Sequence, residues 1–152
     1  IDGEGTVSDK KIILLAEDNP NDRELILAAL AEHDLAGDVV AVGDGAETLD
    51  YLRRQGSYAN RENGDPAVIL LDIRMPRVDG LEVLREIKAD AALKSIPVVI
   101  LTESREERTM VESYRLGVDA YIVKQVKPVQ FQQFLELLLR TRTGGPTRII
   151  LE

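Results

Sequence analysis

The chain has 152 residues, enough for one domain with a sizeable core; its 27 acidic against 19 basic residues give a net charge of −8, which argues against nucleic acid as a direct partner. With no cysteine there is neither a disulfide nor a thiol nucleophile, and a single histidine, His33, leaves no histidine metal cluster. No stretch approaches the roughly 20 apolar residues of a membrane helix, and Ile1-Asp2-Gly3-Glu4-Gly5 lacks the basic-then-apolar opening of a signal peptide, so a cytoplasmic protein without membrane contact is expected.

The first apolar run, Ile12-Ile13-Leu14-Leu15-Ala16, is short and continuous, reads as a buried parallel strand, and ends at Glu17-Asp18-Asn19-Pro20. Pro20-Asn21-Asp22 opens a helix with Leu25, Ile26, Ala29 and Leu30 on one face, closed by Gly37. His33, late in that helix, reads as a solvated side chain favourable near a helix carboxyl end. Val39-Val40-Ala41-Val42 is a second strand. Gly45 starts a second helix carrying Ala46, Leu49, Tyr51 and Leu52, and Gly56 to Asp65 is a long polar loop. A third strand, Val68-Ile69-Leu70-Leu71, ends at Asp72-Ile73-Arg74-Met75-Pro76, and Asp79-Gly80 leads a third helix with Leu81, Val83, Leu84 and Ile87 inward. The run Pro97-Val98-Val99-Ile100-Leu101 ends at Thr102. Arg105-Glu106-Glu107-Arg108 reads as a solvated face, and a fourth helix is expected from Glu106 to Leu116, stopped by Gly117. Ala120-Tyr121-Ile122-Val123 ends at Lys124, and Pro128 opens a fifth helix with Phe131, Phe134, Leu135, Leu138 and Leu139. Thr143-Gly144-Gly145-Pro146 breaks any helix before the apolar, β-prone Thr147-Arg148-Ile149-Ile150-Leu151.

Five strands alternating with five helices predict right-handed crossovers and a parallel sheet covered on both faces. Ligands of such sheets bind at the carboxyl edge, and Glu17, Asp18, Asp72, Thr102 and Lys124 all fall there. Taken singly, an acid or Thr102 after a strand is more often a helix cap, and Tyr121 is more often a half-buried strand residue. Taken together, four strand ends carrying acids, a hydroxyl and an ammonium describe a binding site.

This arrangement resembles the receiver domains of two-component response regulators, the CheY-like family, over about Lys11 to Arg140. The likeness rests on Glu17-Asp18, on Asp72 in Leu70-Leu71-Asp72-Ile73-Arg74-Met75-Pro76, on Thr102 and on Lys124. It implies an α/β fold: a doubly wound five-stranded parallel sheet of flavodoxin/CheY-like order 2-1-3-4-5 with five helices. Residues 1–10 would be an N-terminal extension, 11–142 the receiver domain and 143–152 a C-terminal arm.

The resemblance also implies that Asp72 is the phosphoacceptor, taking its phosphoryl group from a phosphohistidine of a sensor histidine kinase. Glu17, Asp18, Asp72 and the backbone carbonyl of Arg74 would bind Mg²⁺, with Mn²⁺ as the alternative ion. Thr102 and Lys124 would bind the phosphoryl group. Thr102 and Tyr121 would form a switch in which Thr102, moving toward phosphate, vacates space for the Tyr121 ring. Family members usually have Pro directly after the strand lysine, whereas Gln125 follows Lys124 here and Lys127-Pro128 comes later. The spacing to Thr102 and the preceding strand favour Lys124; Lys127 is the alternative. Arg74 is placed to reach over the phosphoryl group and alter its lifetime.

The expected function is that of a stand-alone response regulator signalling through protein contacts, because only about ten residues follow the fifth helix. It would catalyse nothing beyond its own Mg²⁺-dependent phosphorylation and dephosphorylation. The Gly56 to Asp65 loop is associated with partners of the bacterial phytochrome type. A homodimer is expected through the face from the fourth to the fifth helix and through the arm carrying Ile149-Ile150-Leu151. The alternative is a receiver-fold interaction module that is not phosphorylated. A hydrolase using an aspartyl phosphate is disfavoured, since Arg74 stands where a second Asp is typical, and no Gly/Ser/Thr-rich loop follows the first strand to hold a flavin phosphate.

Overall fold

A computed structural model describes residues 12–31, 39–62, 64–124 and 149–151. Strands β1 (Ile13–Ala16), β2 (Val39–Val42), β3 (Val68–Asp72), β4 (Val98–Thr102) and β5 (Ala120–Val123) alternate with helices α1 (Pro20–Ala31), α2 (Gly45–Arg53), α3 (Gly80–Ala89) and α4 (Arg105–Glu112). The strands pair in parallel in the order β2-β1-β3-β4-β5, the doubly wound order expected from the sequence. The N-terminal extension, His33, Lys127 and the expected fifth helix opened by Pro128 lie outside the described residues.

β1, β3 and β4 are buried along their whole length, because a parallel sheet has helices on both faces and tolerates no polar face. Side-chain alternation divides the core in two. Leu14, Ala16, Ile69, Leu71, Val98 and Ile100 share one apolar cluster with side chains of α2, α3 and α4. Ile13, Leu15, Val68, Leu70, Val99 and Leu101 share the other with Ala29 and Leu30 of α1.

Two elements depart from expectation. A sixth strand, β6 (Ile149–Leu151), extends the sheet in parallel beyond β5, with Ile149 opposite Ala120 and Ile150 opposite Tyr121. The β-prone tail finds there the backbone groups that an edge strand leaves unpaired. The fourth helix ends at Glu112 rather than Leu116. Tyr114 and Arg115 donate to carbonyls three residues back, a tightened final turn, and the chain leaves through positive φ angles of 52° at Arg115 and 78° at Gly117.

The helix caps settle one alternative reading of the strand-end residues. Asn19 accepts the Asp22 N–H at 3.0 Å, Asp44 the Glu47 N–H at 2.7 Å, Asp79 the Glu82 N–H at 2.9 Å and Ser104 the Glu107 N–H at 3.1 Å. Capping therefore falls to Asn19, Asp44, Asp79 and Ser104, not to Asp18, Asp72 or Thr102. Gly80 brings the start of α3 against the end of β3: its N–H donates to the Ile73 carbonyl at 2.8 Å, and a Cβ there would lie 2.1 Å from the Asp72 carbonyl oxygen. Gly80→Ala must push α3 off the backbone that carries Asp72. We expect it to lower stability by about 1–3 kcal/mol, read as an earlier midpoint in urea, and an unchanged midpoint would contradict this close packing.

Candidate functional site

The carboxyl ends of β1, β3, β4 and β5 lie side by side, so the residues that follow them meet. Glu17 is fully buried. Its N–H donates to the Val42 carbonyl at 3.1 Å, and its own carbonyl accepts a fork from Arg23, Nη2 at 2.6 Å and Nε at 3.1 Å. This locks the turn out of β1 and leaves the Glu17 carboxylate facing β3 and β5. Asp72 ends β3 at 1% exposure, and its Oδ1 accepts the Arg74 N–H at 3.1 Å. Asp18 is exposed at the mouth. Glu17, Asp18 and Asp72 can each offer one oxygen such that all lie within 4.8 Å of one another.

Lys124 supplies the counter-charge. Its N–H donates to the Thr102 carbonyl at 2.8 Å, which pins the end of β5 to β4. Its Nζ lies 3.0 Å from Glu17 Oε1, 3.0 Å from Asp22 Oδ2, 3.1 Å from Asp72 Oδ2 and 3.3 Å from Glu103 Oε2. An ammonium with a side chain only 8% exposed requires such neighbours, since desolvating it unpaired is costly. Burial opposes the charge on Lys124, but the carboxylates of Asp72 and Glu17 outweigh it and raise its pKa. Asp72 is pushed up to about 7, first by burial and then by the hydrogen bond and negative charge of Glu17; Lys124 and the Arg74 N–H pull the other way.

Hard oxygen donors in a compact set fit Mg²⁺ or Mn²⁺. A local sign of that fit is Glu17 Oε1, which is buried without a hydrogen-bond donor and relies on the charge of Lys124. The Thr102 hydroxyl, fully buried, makes a long bond of 3.4 Å to the Ile122 carbonyl. Tyr121 is already buried, in the apolar cluster that includes Val111 and Val118.

Glu17, Asp18, Asp72, Thr102 and Lys124 are thus brought to one edge. Sequence reasoning missed Asp22 and Glu103, the two further acids on Lys124. Their signal was positional: Asp22 lies in the first turn after β1, and Glu103 directly follows β4. It also misread Glu107. That acid was expected on a solvated face but is buried at 7% exposure, because its carboxylate pairs with Arg74 Nε at 2.7 Å and accepts the Glu103 N–H at 2.8 Å.

The Asp72 shift has a measurable sign. Its folded-state pKa lies above the ordinary carboxylate value, so its protonation stabilises the fold fully only below about pH 4, and that contribution is lost as pH rises through about 7. In EDTA, the melting temperature should fall from pH 5 to pH 8, and Asp72→Asn should flatten the fall. Parallel curves for the two proteins would contradict the shift.

The family model of the response regulator receiver domain matches residues 13–136. Response regulator Rcp1 of Synechocystis sp. (strain ATCC 27184 / PCC 6803 / Kazusa) is 40% identical over 114 residues, covering 75% of this chain and 76% of that protein. The crystal structure of the Mn(2+)-bound form of response regulator Rcp1 aligns with a TM-score of 0.73 at 36% identity, over 86% of this chain and 96% of that one. The bacteriophytochrome response regulator RtBRR aligns with a TM-score of 0.79 at 52% identity, over 84% of this chain and 77% of that one. The phosphorylated cyanobacterial phytochrome response regulator RcpA aligns with a TM-score of 0.72 at 44% identity, over 88% and 94%. By family match, fold order and the acids, hydroxyl and lysine at its strand ends, this chain belongs to the response regulator receiver domain family.

Proposed function

We propose that this receiver accepts a phosphoryl group on Asp72 from the phosphohistidine of a sensor histidine kinase and signals in the cytoplasm through protein contacts. The observation that carries the reading is the Lys124 ammonium, 3.1 Å from Asp72 Oδ2 in a pocket of clustered acids. In the transfer, an Asp72 oxygen attacks phosphorus; the O–P bond forms as the P–N bond breaks, and the bonding pair leaves on the imidazole nitrogen. Two anions must meet for this, so charge neutralisation governs the rate.

Glu17, Asp18, Asp72 and the Arg74 carbonyl are the ligands we assign to Mg²⁺, with Mn²⁺ as the alternative, and the ion when bound supplies positive charge to the phosphoryl oxygens. Lys124 exchanges Asp22 and Glu103 for a phosphoryl oxygen, acting as a compact point charge. The Thr102 hydroxyl exchanges its long bond to Ile122 for another. Tyr121 responds to that shift. Its ring borders a cavity of about 540 Å³ also lined by Glu112, Arg115, Leu116, Gly117 and Val118, so repacking there reaches the surface beside α4.

Relatives named as phytochrome response regulators support a phytochrome-type kinase as the donor. We read the long loop after α2 as a recognition element. Within it, the Tyr58 hydroxyl donates to Glu47 Oε2 at 2.7 Å, and Arg61 donates to the Tyr51 carbonyl at 2.7 Å while its guanidinium covers the Tyr51 ring at 4.1 Å. We read the face around α4 and β5, with the C-terminal arm, as a homodimer interface. β6 pairs with β5 within one chain, and the same pairing made between two chains exchanges the arms.

Incubation with acetyl phosphate should add about 80 Da to the intact protein only with Mg²⁺ present, the added mass of one phosphoryl group on a carboxylate, and Asp72→Asn should abolish the gain. No gain, with acetyl phosphate or with a kinase, would favour the interaction module that is not phosphorylated. Truncation after Arg142 should convert a dimer to a monomer by light scattering; an unchanged dimer mass would refute the arm's part.

A further inference from the structure

Glu107 occupies the junction of the two loops that flank Asp72. It lies in the first turn of α4, and its N–H is capped by Ser104. Its Oε1 accepts the Glu103 N–H at 2.8 Å, and its Oε2 pairs with Arg74 Nε at 2.7 Å. Glu103 follows Thr102 and touches Lys124. Arg74 lies two residues past Asp72 and donates its own N–H to Asp72 Oδ1. One buried acid thereby ties the loop after β3 to the loop after β4.

The two members of this pair are unequal. Glu107 is fixed by burial and by its second hydrogen bond. The Arg74 side chain is 72% exposed and long, so it can swing without disturbing the core. Against Glu107 it uses a single prong, Nε. A phosphoryl group on Asp72 would offer three oxygens and a larger charge beside the backbone of Arg74 itself, and a guanidinium fork pairs with phosphate in bidentate fashion.

Resting on the reading of Asp72 as phosphoacceptor, we propose that Glu107 is a positioning residue of the phosphoryl site: it holds the Arg74 guanidinium on α4 in the unmodified protein and yields it to the phosphoryl group. Two consequences follow from the exchange. Hydrolysis requires a water oxygen to bond phosphorus while the P–O bond to Asp72 breaks, releasing the carboxylate and inorganic phosphate; a guanidinium across the phosphoryl oxygens obstructs that approach. Glu107, left buried without its cation, becomes costly where it stands, so the first turn of α4 must adjust. The adjustment falls on a groove of about 390 Å³ between the loop after β3 and α4, lined by Ile73, Arg74, Met75, Glu107 and Met110 among others.

Both methionines of the chain, Met75 and Met110, line this groove, so a methyl-labelled methionine NMR spectrum reports on it with two signals. The test uses the full chain as wild type, E107Q, R74A and the double variant. Loss of the phosphoryl mass is timed after loading with acetyl phosphate and Mg²⁺, and methionine spectra are taken with and without beryllofluoride. E107Q should slow hydrolysis more than twofold by releasing Arg74, and this effect should vanish in the R74A background. Beryllofluoride should shift the Met110 signal in wild type, with at least half of the shift lost in R74A. A change of twofold or less in E107Q, or one of equal size with and without Arg74, overturns the proposal and leaves Asp72 as phosphoacceptor untouched. Should E107Q not fold, the Met110 shift decides alone, and a full shift in R74A overturns it. A wild type that takes no phosphoryl group removes the premise and the proposal with it.

Discussion

Four carboxylates converge on one buried ammonium, and an ammonium has only three N–H donors. Lys124 cannot satisfy Glu17, Asp22, Asp72 and Glu103 at once, although each lies within 3.3 Å of its Nζ. The site is therefore short of positive charge, and the pKa of Asp72, raised by burial and by Glu17, reaches about 7. A pocket in this condition gains from a divalent cation and has a lysine with partners to spare. Both properties are what a carboxylate needs before it can approach a phosphoryl group.

The fold creates that imbalance. Parallel strands place every carboxyl end on one edge, and their uniformly apolar bodies leave no other outlet for polar residues than the strand ends. The local supports then fix each side chain. Arg23 holds the Glu17 carbonyl, Gly80 allows α3 to close on the end of β3, and Lys124 N–H ties β5 to β4. On the opposite side of Asp72, the pair of Arg74 with Glu107 links the same edge to α4. On the function proposed above, charge added at Asp72 would have two routes outward: one from Thr102 toward Tyr121, and one through the pair of Arg74 with Glu107.

Much of this was legible in the sequence, because buried parallel strands are short apolar runs and each acid stood at the end of one. Glu17, Asp18, Asp72, Thr102 and Lys124 needed only the topology to be gathered together. The roles of Asp22, Glu103 and the buried Glu107 carried no local sign, since their partners are remote: Asp22 meets Lys124 across 102 positions and Glu107 meets Arg74 across 33. No local pattern distinguishes a buried acid from a solvated one when the cation that accounts for its burial is supplied by tertiary structure. The tail at Ile149–Leu151 showed its β-propensity but not its partner, since edge pairing depends on which strand is left open. The end of α4 was overrun for a related reason: the apolar Leu116 fits the helical stripe, while the left-handed backbone at Arg115 has no sequence mark.

In the proposed function Lys124, held on spare carboxylates, transfers to a phosphoryl group on Asp72. A crystal structure of the chain with Mg²⁺ and beryllofluoride would show whether this transfer occurs. The beryllium adduct should sit on Asp72, with Lys124 Nζ moved from Asp22 and Glu103 onto a fluoride and the Thr102 hydroxyl turned from Ile122 to another. An adduct with Lys124 still on all four carboxylates, or an unmodified Asp72 with the ions bound elsewhere, would contradict it.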